Sequence, residues 1–567
     1  MFSRRRRHSS YDIAPEEIFL DSSNLPVHES SQFEGRIERP LSRVSIFGVG
    51  VVFAIVALAF GWRAFDLQVA RGATFSEISR DNSLESNPLF AQRGVIYDRT
   101  GERLAWNEAQ SPDAASSSVP YALRQYIADP GFADLLGFLR YPKQDQNGVW
   151  WRDTYTGISG LELQYNTQLS GVNGSTMIET DAHKHVIQQN ITTPPQNGED
   201  LHLTIDAQVQ AHLYSALVAQ AHAQGFRAGA GIIMDVRTGE LLAITTFPQY
   251  DNQAFTDGDA SAIEAANNSS LKPLLDRAVG GLYAPGSIMK TIFAAGALDA
   301  GIISPEKQID SIGAITIPNP YDPTHPTVFH DWTVHGWIDM RTAIAVSSDE
   351  YFYTIGGGYG DQKGLGVSGL YKYAQMFGIG STTGIALPGE QAGVIPSPQW
   401  KAVNFPDDPT WRLGDTYHTG IGQYGFQITP IQAVVYASAL ANGGKLFTPQ
   451  LLASSTPSYK SVPISDADLE VVREGMRLAV TSTRRDATVT QLNIPGLDIA
   501  AKTGTAQIGT HNQYVNSWSI GFWPADNPHY AYAAVLEQGP ASETAGAAPA
   551  LAPFFEWLLE NHPEYIN

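Results

Sequence analysis

Ser287 and Lys290 stand three positions apart in GGLYAPGSIMKTIFAAGALDAG, Gly280–Gly301. Pro285-Gly286 makes a turn, and the run after it predicts an apolar, small-residue helix with the serine in its first turn. Unpaired backbone N–H groups and the helix dipole favour developing negative charge there. Lys290, one turn on and on the same face, is within reach of the serine oxygen. Burial beside such a helix lowers a lysine's pKa toward that of a usable base. A hydroxyl and an amine so placed could perform nucleophilic acyl transfer. Alone, the tetrapeptide is more commonly a helix cap with a snorkelling lysine. Ser304-Pro-Glu-Lys307 repeats the spacing with no apolar helix after it, and reads as a cap before Pro305. Two later clusters alter the balance. Ser347-Ser348-Asp349 leads into the aromatic EYFYTIG, and Lys502-Thr503-Gly504-Thr505 lies in the strand-like IAAKTGTA, Ile499–Ala506.

The elements that must position these residues come in a definite order. A chain of 567 residues is too long for one compact domain. A net charge of −21 argues against a nucleic-acid partner, and the absence of cysteine excludes thiolate catalysis, disulfides and cysteine-ligated metal. Positive charge gathers at the front, in Arg4–Arg7 and at Arg36, Arg39 and Arg43. Val44–Trp62 then runs for 19 residues without a charged side chain, enough to cross a core of about 30 Å at about 1.5 Å per residue. We therefore expect a disordered cytoplasmic tail over 1–43 and one uncleaved membrane helix over 44–62, with Trp62 at the far interface and the rest outside. A cleaved signal peptide is the alternative, but the leading segment is long and no small-x-small site ends the run.

A pedestal domain is expected over 63–205. RGVIYDRTGERLAWN, Arg93–Asn107, reads as strand, turn and strand, and Arg93, Asp98, Arg99 and Gly101 are expected to hold that fold. Residues 108–156 show no period, whereas Gly157–Gly174 has helical spacing at Leu161, Tyr165 and Leu169. From Asp206, a good N-cap, an Ala- and Gln-rich helix leads into a hairpin over Ala228–Pro248, turning at Arg237-Thr238-Gly239. Ile499–Ala506 and Asn516–Gly539 supply three more strands, the last two joined by Asp526-Asn527-Pro528, and Ala550–Leu559 a final helix with Pro553 tolerable near its first turn. The class is α+β, with an antiparallel sheet assembled from both ends of one large domain, 206–567, around a helical middle.

In order and context, the three clusters form the SxxK, SxN/D and KTG set of penicillin-recognising acyl-serine enzymes. The chain from Trp62 to about Gly539 resembles a class B penicillin-binding protein, a monofunctional peptidoglycan D,D-transpeptidase. RGVIYDRTGERLAWN and GISGLELQYNTQLSG are similar to its pedestal motifs; LLDRAVGGLYAPGSIMK, STTGIALPGEQAGVIPSPQWK, GIGQYGFQITPIQ and NSWSIGFWPADNP are similar to its transpeptidase domain. Asp349, the EYFY after it and the short HGWIDMRTAIAVSSD approach resemble the elongation branch, penicillin-binding protein 2, more than the division branch.

The resemblance implies a serine acyl-enzyme and no cofactor. Ser287 would attack the carbonyl between the terminal D-alanines of a stem peptide, Lys290 would take its proton, and Ser347 would relay one to the leaving nitrogen. Backbone N–H groups of Ser287 and Thr505 would form the oxyanion hole. Lys502, Thr503 and Thr505 would hold the terminal carboxylate, with Gly504 leaving room for the peptide; β-lactams would stall at the acyl stage. Asp349 accepts where asparagine could also donate, so we expect it to orient a lysine. Tyr424 replaces the usual glycine in GIGQYGF, and Leu478–Val489 lacks a common Gly-Thr-Ala; neither is expected to touch the three motifs. His325, His330, Asp331 and His335 form a weak candidate zinc group, and relatives with zinc nearby use a cysteine that this chain lacks. The implied partners are a SEDS-type glycan polymerase and the elongation complex at the plasma membrane. A division-type transpeptidase, a scaffold or sensor, and a β-lactamase are the alternatives. Intact motifs weigh against the scaffold, a short tail against the sensor and the pedestal against the β-lactamase.

Overall fold

The computed structural model of the chain describes residues 43–72, 84–108, 119–146, 148–180, 186–319, 322, 324–542 and 546–566. All of the expected tail except Arg43 lies outside them.

The apolar run forms α1, Arg43–Phe65, continued by one π-helical turn, Asp66–Ala70. The helix passes the expected end at Trp62, where Arg63 and Arg71 both pair with Asp66, at 3.5 and 3.0 Å. Ile46–Ala70 is long and apolar enough to cross a membrane.

In the second compact unit, β1 (Ile96–Tyr97) and β2 (Arg103–Glu108) form the expected hairpin. β3 (Leu123–Tyr126) pairs antiparallel with β2, and β4 (Leu201–His202) pairs parallel with β1. Asp98 does more than shape the turn. Its Oδ1 accepts from Thr100 and Glu102 N–H groups, and its Oδ2 from the Ala207 N–H, at the start of the next large helix. The stretch without a legible period contains β3 and strands of two or three residues, too short to print an alternation. The expected helix after Gly157 is two, α2 (Gly160–Gln164) and Asn166–Ser170, divided at Tyr165.

A buried charge cluster ties these pieces together. Arg93 Nε donates to Glu162 Oε2 at 2.6 Å and Arg124 Nε to Glu162 Oε1 at 2.8 Å, with all three side chains fully buried. Burial opposes the charge on Glu162, yet the two guanidiniums hold its pKa below the ordinary value.

Asp206 caps α3 (Ala207–Gln224) by accepting from the Gln208 and Val209 N–H groups. The hairpin β5 (Ala228–Asp235) and β6 (Leu241–Phe247) follows. Next come α4 (Lys290–Asp299), α5 (Asp349–Gly357) and α6 (Pro430–Ala441), then β7 (Ala500–Ile508), β8 (Tyr514–Trp523), β9 (Tyr530–Pro540) and α7 (Ala547–Asn561). The sheet runs β6-β5-β9-β8-β7, antiparallel throughout, so its ends in sequence meet at β5 and β9. Every residue of β5 and β6 is buried because both faces are covered. Ile232 and Met234 join one apolar core with α6, while Ile233 joins another with α3 and α7. Pro553 lies inside α7, since that helix begins three residues before the expected start. The buried stripe Ala547, Ala550, Leu551, Phe554, Phe555 and Leu558 outweighs the roughly 3 kcal/mol a helical proline costs.

Candidate active site

The chain reaches Ser287 through a turn anchored on several sides. Tyr283 exchanges backbone hydrogen bonds with Ile428, Trp518 Nε1 donates to Ala284 O at 3.0 Å, and Gly286 N donates to Gly422 O at 3.0 Å. Gly286–Met289 is one 3-10 turn that runs directly into α4. Gly286 has φ +58°, and a Cβ there would come within 2.8 Å of Thr505 O. From the other side, a Cβ on Gly504 would lie 2.7 Å from Pro285 O. Gly504 therefore lets the edge strand β7 press against the serine turn, a different reason for glycine from room for a peptide. Ser287 is partly exposed, and its hydroxyl has no hydrogen-bond partner among the described residues.

Behind the serine, Lys290 and Lys502 are fully buried. Lys290 Nζ donates to Asp349 Oδ1 at 2.6 Å and to Ser347 O at 2.7 Å, with Ser347 Oγ at 3.4 Å. Lys502 Nζ donates to the same Ser347 Oγ at 2.8 Å and to Thr503 O at 2.8 Å. One hydroxyl thus bridges two lysine Nζ atoms, contributed by the helix and the edge strand. Ser347 has φ +57°, a left-handed conformation unusual for a non-glycine residue. Burial, and then the charge of Lys290, pushes Lys502 well below the usual lysine range. The lowered lysine is the one on the KTG strand, while Lys290 has a carboxylate partner in Asp349. Burial raises the Asp349 carboxyl above its ordinary value, offset in part by Lys290 and reinforced by Asp331. Thr503 and Thr505 are partly exposed on the edge strand, while Lys502 is held behind Ser347.

The Ser347-Ser348-Asp349 loop rests on a second cluster. Ser348 caps α5 by accepting from Tyr351 N, and its hydroxyl donates to Asp331 Oδ2 at 2.6 Å. Glu350 N donates to the same oxygen at 2.9 Å. His335 is clasped between Asp331 Oδ1, 3.6 Å from Nε2, and Asp486 Oδ2, 2.7 Å from Nδ1. Burial works against its charged form, but the two carboxylates raise the His335 pKa overall. Arg484 also binds Asp486 and donates to His335 O.

The four residues weighed as a metal group are not brought together. His325 is exposed and pairs with Asp322, and His330 is exposed on a separate strand. Among the described residues no three His, Asp or Glu side chains are placed to hold an ion. Asp331 and His335 brace the loop instead.

Neither departure from the family pattern bonds a motif residue among the described residues, in keeping with the expectation, though the Leu478–Val489 stretch supports the second motif through intermediates. Asp486 and Thr488 lie in the Leu478–Val489 stretch; Thr488 Oγ1 donates to Ala345 O, two residues before Ser347. In GIGQYGF, Gly422 contacts Gly286, and Tyr424 adopts φ +59°. The backbone there suits glycine; packing of the Tyr424 ring against Trp400, Phe405 and Trp411 compensates for the side chain. Asp486 could not be found from sequence because it is 151 positions from His335 and carries no local signal.

Comparison with known proteins agrees with this geometry. The penicillin-binding protein transpeptidase domain model matches residues 229–559, and the penicillin-binding protein dimerisation domain model matches 117–203. The chain is similar to the peptidoglycan D,D-transpeptidase MrdA of Escherichia coli K12, at 31% identity covering 88% of this chain and 90% of the relative. It is 29% identical to the protein of that name from Acinetobacter baumannii, covering 90% of this chain and 87% of the relative. Among solved structures it resembles Pseudomonas aeruginosa PBP2 in complex with WCK 5153, with TM-score 0.67 and 28% identity over 84% of this chain and 98% of that one.

Proposed function

The chain belongs to the penicillin-binding proteins with a transpeptidase domain, and from that premise we propose how its residues perform the reaction. It is a serine-type peptidoglycan D,D-transpeptidase. The observation that carries our reading is the Ser347 hydroxyl shared by Lys290 and Lys502. With Lys502 neutral, Lys290 passes a proton through Ser347 to Lys502 and becomes the free amine that accepts the Ser287 proton. Ser287 Oγ attacks the carbonyl between the terminal D-alanines, and the backbone N–H groups of Ser287 and Thr505 bind the oxyanion. The same relay returns a proton through Ser347 to the departing D-alanine nitrogen. An amine of a second stem peptide then attacks the ester, and its proton passes through Lys290 to the departing Ser287 Oγ, which regenerates the hydroxyl. Thr503 and Thr505 hold the substrate carboxylate, and Lys502 contributes to it through its charge.

Elongation is the cellular role we assign, supported by similarity to the MrdA proteins and by the Ser-Ser-Asp form of the second motif. We place α1 in the plasma membrane with the catalytic region outside, on the basic residues before it. A SEDS-type polymerase is the expected partner. Fluorescent penicillin tests the nucleophile: wild type labels covalently and Ser287→Ala does not, and covalent labelling of the substituted protein would overturn the assignment. Depletion tests the role, with rounded cells expected and filaments opposing it.

A further inference from the structure

A cavity of about 860 Å3 shares no lining residue with the three motifs, and its size suits a small-molecule or short peptide ligand. The residues that line it come from the segments Tyr121–Gly160 and Tyr250–Gly280, together with Pro388 and Gly389. Three cations stand at its edge, Arg140, Lys143 and Arg152. None of them forms an ion pair or side-chain hydrogen bond among the described residues, and Arg152 Nε is buried without a partner. In a chain of net charge −21, such a group of unneutralised cations calls for an explanation.

The carboxylates that also line the cavity are committed elsewhere. Asp257 accepts from Tyr141 and Gln253, Asp134 accepts from Thr246 Oγ1, and Asp276 caps the helix Arg277–Gly280. Burial raises the pKa of Asp134 and Asp276, the latter to about 6. Tyr121 and Tyr141, stacked with centroids 5.6 Å apart, give the cationic side an aromatic wall. Arginine and lysine select a carboxylate, and the aromatic wall accepts an apolar body.

We propose that this cavity is a second binding site for an uncrosslinked, carboxylate-bearing stem peptide, held at its carboxylates by Arg140, Lys143 and Arg152. The proposal rests on the transpeptidase reading, because a cross-linking enzyme works among strands that carry such peptides. The test uses the full chain in detergent with Ser287 first acylated by penicillin, so that the acyl site is closed. Titration calorimetry with L-Ala-γ-D-Glu-L-Lys-D-Ala-D-Ala then gives saturable binding. Combined Arg140→Gln, Lys143→Gln and Arg152→Gln substitution weakens it at least tenfold, as does amidation of the peptide carboxylates. Arg140→Glu, a change at an exposed residue, gives a smaller loss in the same direction and guards against misfolding of the triple variant. Penicillin acylation proceeds at the wild-type rate in both variants.

No saturable binding by acylated wild type, or unchanged affinity in both variants, overturns the second site. Capture of phosphatidylglycerol vesicles through the same residues, without peptide binding, also overturns it in favour of a lipid contact. Wild type that penicillin fails to acylate at Ser287 sinks the transpeptidase reading instead, a separate outcome.

Discussion

Glu162 and Asp349 each share their surroundings with two cationic side chains. Around Glu162, each carboxylate oxygen takes its own guanidinium, and Arg93 makes further bonds to Asn166, Ser170 and Glu162 O. Apart from Arg124 Nη2, the buried donors there are satisfied. Around Asp349, one oxygen takes Lys290, while Lys502 meets only the neutral acceptors Ser347 Oγ and Thr503 O. Arginine stays charged in any protein setting, whereas a buried lysine can lose its proton. The first cluster is closed and can only hold. The second leaves one lysine without a hydrogen-bonded carboxylate, so that lysine can stand neutral and receive a proton.

Substitutions that exchange these properties test the contrast. Lys502→Arg fixes a charge where the reading needs a lysine that titrates; the second-order rate of penicillin acylation per folded molecule should fall about 10²–10⁴-fold. A rate near wild type would mean that Lys502 does not exchange a proton. Glu162→Gln leaves two guanidiniums buried without their anion and should cost about 3–5 kcal/mol of stability in denaturant unfolding. The acylation rate per folded molecule should be unchanged, because that cluster takes no part in the chemistry.

Asp349→Asn acts more gently. The carboxylate favours charged Lys502, so its removal lowers that pKa further. The acid limb of the acylation profile should move to lower pH by about one unit; a shift to higher pH would contradict the proposed relay. Arg99→Ala should do least. Its 3.5 Å contact with Glu240 is the same chemistry as Arg93 with Glu162, but both side chains are 30% exposed. Such pairs are worth at most about 1 kcal/mol, and a larger loss would show that burial is not what separates the two cases.

Legibility followed the range of the signal. The hairpin at Arg237-Thr238-Gly239 and the cap at Asp206 are local patterns, and the structure has both where the sequence puts them. The three motifs were visible for the same reason, since each lies within a few residues. What the sequence could not carry was the environment of each side chain. Lys290 and Lys502 are both buried lysines, and only the fold assigns the carboxylate to one and the bridging hydroxyl to both. The need for glycine at position 504 comes from Pro285, on a different element, and the brace on Ser348 from Asp486 through His335 and Asp331. The segment over 108–156 failed for another reason: strands of two or three residues do not repeat often enough to show a period.

The meeting of β5 with β9 at the centre of the sheet has a consequence for how the enzyme is made. Ala228 pairs with Glu537 and Asp235 with Tyr530, so the middle strand of the sheet is synthesised after the other four. Until Tyr530–Pro540 is available, the hairpin β5–β6 and the pair β7–β8 that carries the KTG strand have nothing to join them into one sheet. Closing so long a loop is a slow, non-local step. A nascent chain can therefore display Ser287 and Lys290 well before it can acylate, and competence arrives in one late event.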